Sequence, residues 1–380
     1  MQYRDMKKLG LKLSVLSFGG MRLPHKNPLL GPGIDEKKAI RVIRRGIDLG
    51  INYIDTAYFY HFGASERIIG EALKDGYRDK VYLADKSPLM IMRKPEDFER
   101  YLEIQLKRLQ TDTIDFYLFH GMNRSHLKKV IDFKLLEKME AAKKSGLIKY
   151  IGFSFHDTLP VFKTIIDLYP WDMVQIQYNY LDIGTQATGE GLRYADEKGI
   201  PVVIMEGLKG GKLANPPQEA LDIIRNAPVQ KTPVEWAFQF LWNLKEVTTV
   251  LSGMNSLAMI EENCAYADRS GIGSFSAVES NIIDSLTAIY QKKILVGCTS
   301  CSYCMPCPHG VNIPENFALI NNANGPGGIF RWMITRRYHK LASNPRRVNC
   351  QAPNGAASLC TQCQACVPKC PQGIQIPEEL

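Results

Sequence analysis

Eight short β-branched runs recur between Leu13 and Met254, separated by stretches of helical period, and few folds satisfy that alternation. The predicted strands are Val15–Phe18, Tyr53–Thr56, Val81–Ala84, Ile114–His120, Tyr150–Phe155, Met173–Tyr178, Val202–Met205 and Thr248–Ser252. Apolar residues at every third or fourth position predict helices over Glu36–Leu49, Glu66–Leu73, Pro95–Leu109, Leu135–Ser145 and Val234–Leu244, with Asp35 and Ser65 capping the first two. Strand then helix, eight times in about 250 residues, is the requirement of an α/β chain folded as a (β/α)8 TIM barrel, whose reactive groups gather at the C-terminal strand ends. A doubly wound dinucleotide fold would carry Gly-x-Gly-x-x-Gly after its first strand. The nearest candidate, Gly271-Ile-Gly273, lacks the third glycine and comes far too late.

Past residue 270 the composition changes. Gly271 to Ser276 reads as a hinge and Val278 to Lys292 as a helix, which gives a barrel over 1–270, a linker and helix over 271–293 and a small domain over 294–380. Eight of the ten cysteines fall in two tight clusters after residue 297, and the first three quarters of the chain has only Cys264. Clustering of that kind points to a metal in a reducing compartment rather than to disulfides. The runs are Cys298-x2-Cys301-x2-Cys304-x2-Cys307-Pro308 and Cys360-x2-Cys363-x2-Cys366-x3-Cys370-Pro371. Three thiolates at i, i+3 and i+6 wrap one corner of a cubane, and the proline-marked cysteine ligates the other cluster in two-cluster ferredoxins. The expectation is a mostly helical ferredoxin-like domain with two [4Fe-4S] clusters, one on Cys298, Cys301, Cys304 and Cys370, the other on Cys360, Cys363, Cys366 and Cys307. Structural zinc is the rival, but zinc modules use separated cysteine pairs. The first run is one residue shorter before its Cys-Pro than the second. Cys264 and Cys350 are left over, the latter as a spare ligand or an ordinary thiol.

No apolar run is long enough to span a bilayer, and Met1 to Lys8 is charged, without the apolar core of a signal peptide. Neither a membrane role nor nucleic-acid binding is expected, and the compartment expected is the cytoplasm. From Gln291 onward there are nine Lys or Arg against three Glu, so +6 of the net +8 lies in the last quarter. That balance suits either a solvated basic face or a dock for an acidic electron-carrier protein.

Three polar residues stand at the ends of the second, third and fourth predicted strands: Asp55, Lys86 and His120. Tyr60 follows Asp55 by five residues, where strand gives way to loop. Each alone has an ordinary reading as a satisfied or surface polar group, but together they compose a proton-transfer set. A phenol with a pKa of about 10 is a weak acid at neutral pH. A lysine cation held by Asp55 would favour the phenolate, His120 would orient a substrate carbonyl, and Tyr60 would protonate its oxygen as hydride reaches carbon.

With Asp55-Thr-Ala-Tyr-Phe-Tyr60, Gly63-Ala-Ser65-Glu66, Lys86 and His120 in these positions, residues 8 to 268 resemble the aldo-keto reductase family. The resemblance implies a nicotinamide cofactor, NAD(H) or NADP(H), lying across the barrel mouth. Its carboxamide would meet Ser154 and Gln177, its phosphates Gly207, Leu208, Gly210, Lys212, Ser252, Gly253 and Asn255, and its adenine end Glu262 and Asn263. The chain departs from the family at Phe155, where many relatives have asparagine, at Met205, where an aromatic often stacks on the nicotinamide, and at Asn255 and Met259, where many have arginines for the 2′-phosphate of NADP. Without a cationic partner that phosphate loses its charge-assisted bonds, so NAD(H) should bind at least as well as NADP(H).

The expected function is hydride and proton transfer between nicotinamide and a small carbonyl or alcohol, with the clusters carrying electrons. Hydride carries two electrons and each cluster one, and a flavin, for which no signature is visible, would reconcile the count. The alternatives are the same enzyme with structural clusters, or a redox-sensing or docking subunit without catalysis. Specificity should lie in the loops Pro24–Gly33, Leu89–Lys94, Met122–His126 and Asp182–Thr188, with Tyr58, Phe59, Tyr178 and Tyr180 making the site partly apolar.

Overall fold

The computed structural model describes residues 1–26, 33–323, 328–343 and 355–380. An antiparallel hairpin of β1 (Tyr3–Asp5) and β2 (Lys12–Ser14) precedes the strands β3 (Leu16–Gly19), β4 (Tyr53–Asp55), β5 (Tyr82–Ser87), β6 (Ile114–Met122), β7 (Ile148–Phe155), β8 (Met173–Gln177), β9 (Val202–Met205) and β10 (Val247–Ser252). The last eight are parallel and close in the order β10-β3-β4-β5-β6-β7-β8-β9, so the sequence-level barrel is the observed one. The helices are α1 (Glu36–Asp48), α2 (Ala64–Ala72), α3 (Asp97–Leu109), α4 (Arg124–Asp132), α5 (Leu135–Lys144), α6 (Leu159–Leu168), α7 (Thr188–Glu197), α8 (Gln218–Arg225), α9 (Pro233–Trp242), α10 (Leu257–Asp268), α11 (Ala277–Lys293), α12 (Ile313–Ala323), α13 (Gly328–Ser343) and the one-turn α14 (Ile376–Glu379).

Contacts divide the described chain into two compact units, one of Met1–Gly207 with Val234–Phe275 and one of Leu208–Pro233 with Ser276–Leu380. In the first, period-2 alternation sends one side chain in two into the barrel and the next toward the helices. Met6 and Leu13 of the hairpin pack with Tyr53 and Met173, the first residues of their strands, so the hairpin closes the N-terminal end and leaves the C-terminal end for chemistry. Asp35 caps α1 through its bond from the Lys38 amide at 3.0 Å, as the sequence suggests. Ser65 does not cap α2. The N-cap is Gly63 in the left-handed region (φ 85°), and the Ser65 hydroxyl is spent on the Gly20 carbonyl at 2.9 Å and Thr56 Oγ1 at 2.8 Å. Gly63 has a second reason to be glycine: a Cβ there would lie 2.7 Å from the Arg108 guanidinium carbon.

In the second unit α11 opens with a capping box, in which Ser276 and Glu279 each satisfy the other's amide. Lys231 reaches Glu279 at 2.5 Å and the Tyr290 hydroxyl donates to the Lys212 carbonyl at 3.1 Å, so the 208–233 segment is tied to α11. The terminal part builds its core from Val296, Val311, Ile313, Phe317 and Ile376 together with Cys304, Cys307 and Cys366. Cysteine is thus a core residue here, as expected of a domain too small to fold on apolar burial alone. Among the described residues no helix is long and apolar enough to cross a membrane.

Candidate active site and cysteine cradle

Asp55, Lys86 and His120 all face inward at the C-terminal ends of β4, β5 and β6, because Asp55 lies two residues past Tyr53, Lys86 two past Ala84 and His120 two past Leu118. The Lys86 ammonium sits 2.5 Å from Asp55 Oδ1, 2.9 Å from the Thr56 carbonyl and 3.5 Å from the Tyr60 hydroxyl. Lys86 is 1% exposed and Asp55 2%, so the pair is dry. Tyr60 is presented by a tight turn in which His61 (φ 50°) and Phe62 (φ 57°) take left-handed conformations that non-glycine residues rarely adopt. The His120 ring stands edge-on to Tyr60 at 6.0 Å between centroids. Burial, and then the Lys86 charge, hold the His120 imidazole well below its ordinary pKa, so at neutral pH it is an uncharged hydrogen-bonding group. The predicted set is therefore brought together, with the cation between the carboxylate and the phenol.

Several residues of this site escape simple sequence reading. Gln175 donates to Asp55 Oδ2 at 2.9 Å, so both carboxylate oxygens are held. Outside the barrel, the peptide of Lys86 is clamped from both sides, its N–H by Asp85 Oδ1 at 2.8 Å and its carbonyl by Gln105 Nε2 at 3.0 Å, with Tyr117 donating to Gln105 at 2.7 Å. Asp85 is fully buried beside Glu66, and Arg108 closes the group with a bond to Glu66 Oε2 at 2.7 Å. Burial, and then the neighbouring Glu66, raise the Asp85 carboxyl strongly. The available signal was a buried-strand aspartate, Asp85, and a buried-strand glutamine, Gln175; Gln105 lies on α3 and carries none.

Of the expected nicotinamide contacts, Ser154 is buried at the end of β7 and accepts from the Gly121 amide at 2.8 Å. Gln177 is buried at the end of β8, donating to Asp182 at 3.0 Å and accepting from Gln186 at 3.4 Å. Phe155 faces the helices, packed on Phe162 at 5.0 Å between centroids. Ser252 is buried at the end of β10, Gly253 and Asn255 follow it exposed, and on α10 Asn263 is buried and Glu262 exposed. Gly207 ends its stretch of the first unit, whereas Leu208, Gly210 and Lys212 belong to the second. There Gly210 (φ 66°) is required, since a Cβ would fall 2.5 Å from the Thr299 carbonyl oxygen of the first cysteine loop.

The two cysteine loops share one backbone. Ser300 and Ser302 flank Cys301 with φ 57° and 64°, and Gln362 and Gln364 flank Cys363 with φ 56° and 61°. Left-handed residues on both sides of the middle cysteine curl each loop and turn successive amides inward, a shape suited to anionic sulfur. One such amide, that of Ser300, already lies 3.4 Å from Cys298 Sγ. Burial pushes the Cys304 thiol up to about 12, with Cys301, Cys298 and Cys370 adding to it. The Cys366 thiol is raised by burial, with Cys307, Cys360 and Cys363 adding. Each loop thus gathers the proline-marked cysteine of the other. Cys307, Cys360, Cys363 and Cys366 line one small recess together. Among the described residues no three His, Cys, Asp or Glu side chains converge on a single ion position. Cys350 and residues 27–32 of the first specificity loop lie outside the described residues.

Comparison with known proteins agrees with this geometry. Residues 15–286 match the model of the aldo/keto reductase family, and residues 297–375 that of a 4Fe-4S dicluster domain. L-galactose dehydrogenase of Arabidopsis thaliana is 26% identical over 288 residues, covering 70% of this chain and 87% of that one. Aldo-keto reductase yakc [NADP(+)] of Schizosaccharomyces pombe is 28% identical over 246 residues, 62% of this chain and 70% of that one. The holo structure of aldo-keto reductase AKR11C1 from Bacillus halodurans superposes with a TM-score of 0.62 at 28% identity, covering 75% of this chain and 96% of that one.

Proposed function

The chain belongs to the aldo-keto reductase family, and we propose that it exchanges hydride between a nicotinamide cofactor and a small carbonyl or alcohol, with Tyr60 moving the proton and two [4Fe-4S] clusters moving electrons. The observation that carries this reading is the Lys86 ammonium set between the Asp55 carboxylate and the Tyr60 hydroxyl in a dry site. Bound nicotinamide supplies the hydride. Lys86, fixed by Asp55 and by the clamp on its own peptide, stabilises the Tyr60 phenolate as the proton leaves for the substrate oxygen. Uncharged His120 donates to that oxygen and orients it. Ser154 and Gln177 would hold the carboxamide, Ser252, Gly253 and Asn255 with Gly207, Leu208, Gly210 and Lys212 the phosphates, and Glu262 and Asn263 the adenine end. The relative named for NADP(+) supports a nicotinamide cofactor. Asn255 and Met259, where arginine would grip a 2′-phosphate, favour NAD(H) here.

In the terminal domain Cys298, Cys301, Cys304 and Cys370 would hold one cluster and Cys307, Cys360, Cys363 and Cys366 the other, within the domain bounds read from the sequence. The thiol groupings, the shared recess and the repeated loop shape support that pairing. Cys363 is exposed, which suits electron exchange at the surface with an acidic carrier drawn by the basic domain in a reducing cytoplasm. A structural role for the clusters is the second reading, favoured by the place of Cys304, Cys307 and Cys366 in the core. Anaerobic purification with iron, sulfide and cofactor assay, then cluster spectroscopy with and without NADH, separates the two. About eight irons per chain, with bleaching of the clusters by NADH directly or through an extracted flavin, supports electron transfer. Eight irons indifferent to NADH leaves the structural role, and far fewer irons refutes two clusters.

A further inference from the structure

The last imidazole at the barrel mouth has no role in the proton transfer described, and its chemistry is fixed by a chain of side chains behind it. His156 lies two residues past Ser154, on the inward parity of β7, and its ring carbon Cδ2 would be 3.9 Å from a Cβ on Gly121, the neighbour of His120. The chain starts at Asp182, whose Oδ2 accepts from Gln177 Nε2 at 3.0 Å and from Asn179 Nδ2 at 2.8 Å. That sets the Gln177 amide with its oxygen outward, and Gln186 Nε2 donates to it at 3.4 Å. Gln186 Oε1 is thereby left facing His156 Nδ1 at 3.2 Å. An amide oxygen only accepts, so Nδ1 carries the proton, and Nε2 is a lone pair in the uncharged ring. Burial keeps the ring uncharged by lowering its pKa to about 4. Gln186 is held in place at some cost, with φ 56° in the left-handed region. Among the described residues Nε2 meets no protein hydrogen-bond donor.

We infer that His156 is a specificity-determining acceptor of this site, and that the site selects carbonyl compounds bearing a hydroxyl group next to the carbonyl. The inference rests on the reading of the barrel site as carbonyl-reducing. β7 follows β6 in the barrel and His156 stands beside Gly121, the neighbour of His120, so a substrate group on the β7 side of the carbonyl is the one His156 can accept from. A bare nitrogen cannot bind a carbonyl or carboxylate oxygen; it needs a donor. An ammonium would supply one, but it would share the pocket with the Lys86 cation, whose charge already acts on His156. A hydroxyl donates without charge.

The test compares kcat/KM for 2-hydroxypropanal and propanal in the wild type, His156→Phe, His156→Gln and Gln186→Leu, with thermal melts confirming that each variant folds. The wild type should prefer the hydroxylated aldehyde by about 10-fold or more, the value of one well-placed hydrogen bond. His156→Phe should abolish that preference, mainly through KM, while propanal turnover stays within about 2-fold. His156→Gln, which keeps an acceptor in reach, should retain part of it, and Gln186→Leu, which frees the ring to turn, should lose most of it. A preference that survives His156→Phe, an equal loss on both substrates, or a wild type that reduces both without preference overturns the inference and leaves the carbonyl-reducing reading standing. A wild type that reduces neither substrate, nor any other carbonyl, overturns both.

Discussion

Replacing Asp55 by asparagine tests whether the ion pair under Tyr60 is as dry as its geometry implies. The wild-type ammonium has the Asp55 carboxylate at 2.5 Å and the Thr56 carbonyl at 2.9 Å, with 1% of Lys86 exposed. Asparagine keeps the shape and one acceptor oxygen for the two donors Gln175 and Lys86, but among the described residues it removes the only full negative charge bonded to the ammonium. Breaking one partner of a buried pair costs about 3–5 kcal/mol, because the other charge is stranded. For a barrel of this size each kcal/mol lowers the melting temperature by about 2–4 °C, so the barrel transition should fall by roughly 10 °C or more. Adding Lys86→Met removes the stranded charge at similar volume, and the double variant should regain about 2 kcal/mol or more of the loss while remaining inactive. Scanning calorimetry of the three proteins decides it. A fall of under about 2 °C for Asp55→Asn, or a double variant less stable than the single one, would refute the claim that this is a desolvated pair.

Acid should weaken the barrel through its mouth histidines. His156 has a folded pKa of about 4 against 6.5 unfolded, so its contribution is complete above pH 6.5 and is lost as pH falls toward 4. Urea titrations should show about 2 kcal/mol lost over that window after allowance for the ring's partial exposure, and His156→Phe should flatten the curve. Arg108→Ala should destabilise by about 2–4 kcal/mol, because it strands the buried Glu66 and Asp85 acids. Arg108→Lys should rescue this poorly, since the guanidinium also lies 4.5 Å from the Tyr58 ring centroid. Removing iron with a chelator under reducing conditions should expose the segment from Ser276 onward to protease while circular dichroism of the barrel persists, because Cys304, Cys307 and Cys366 are core residues there.

The barrel was legible because strand and helix periods alternate without interruption, and the tetrad because each polar residue falls where a buried strand ends. The cysteine runs were equally plain, since spacing at i, i+3 and i+6 is itself the geometry of the ligand set. What could not be read was tertiary partnership. Ser65 has the composition of a cap, yet the close approach of Gly20 takes its hydroxyl, and Gly63 starts the helix instead. Phe155 packs on Phe162 of α6, a partnership the sequence does not name. Asp85, Gln105 and Gln186 act on Lys86 and His156 from separate elements, and no local pattern joins them. The attachment of the 208–233 segment to the second unit is likewise a matter of packing, through Lys231 and Glu279 and through Gly210 and Thr299.

The account turns on Tyr60 as the proton donor. Its most direct test is Tyr60→Phe, which removes one oxygen and leaves the Lys86–Asp55 pair intact, followed by NADH-dependent reduction of an aldehyde panel alongside NADH binding by fluorescence. The account predicts kcat lower by about 10²-fold or more with NADH affinity unchanged. Turnover equal to the wild type, with NADH still bound, would contradict it.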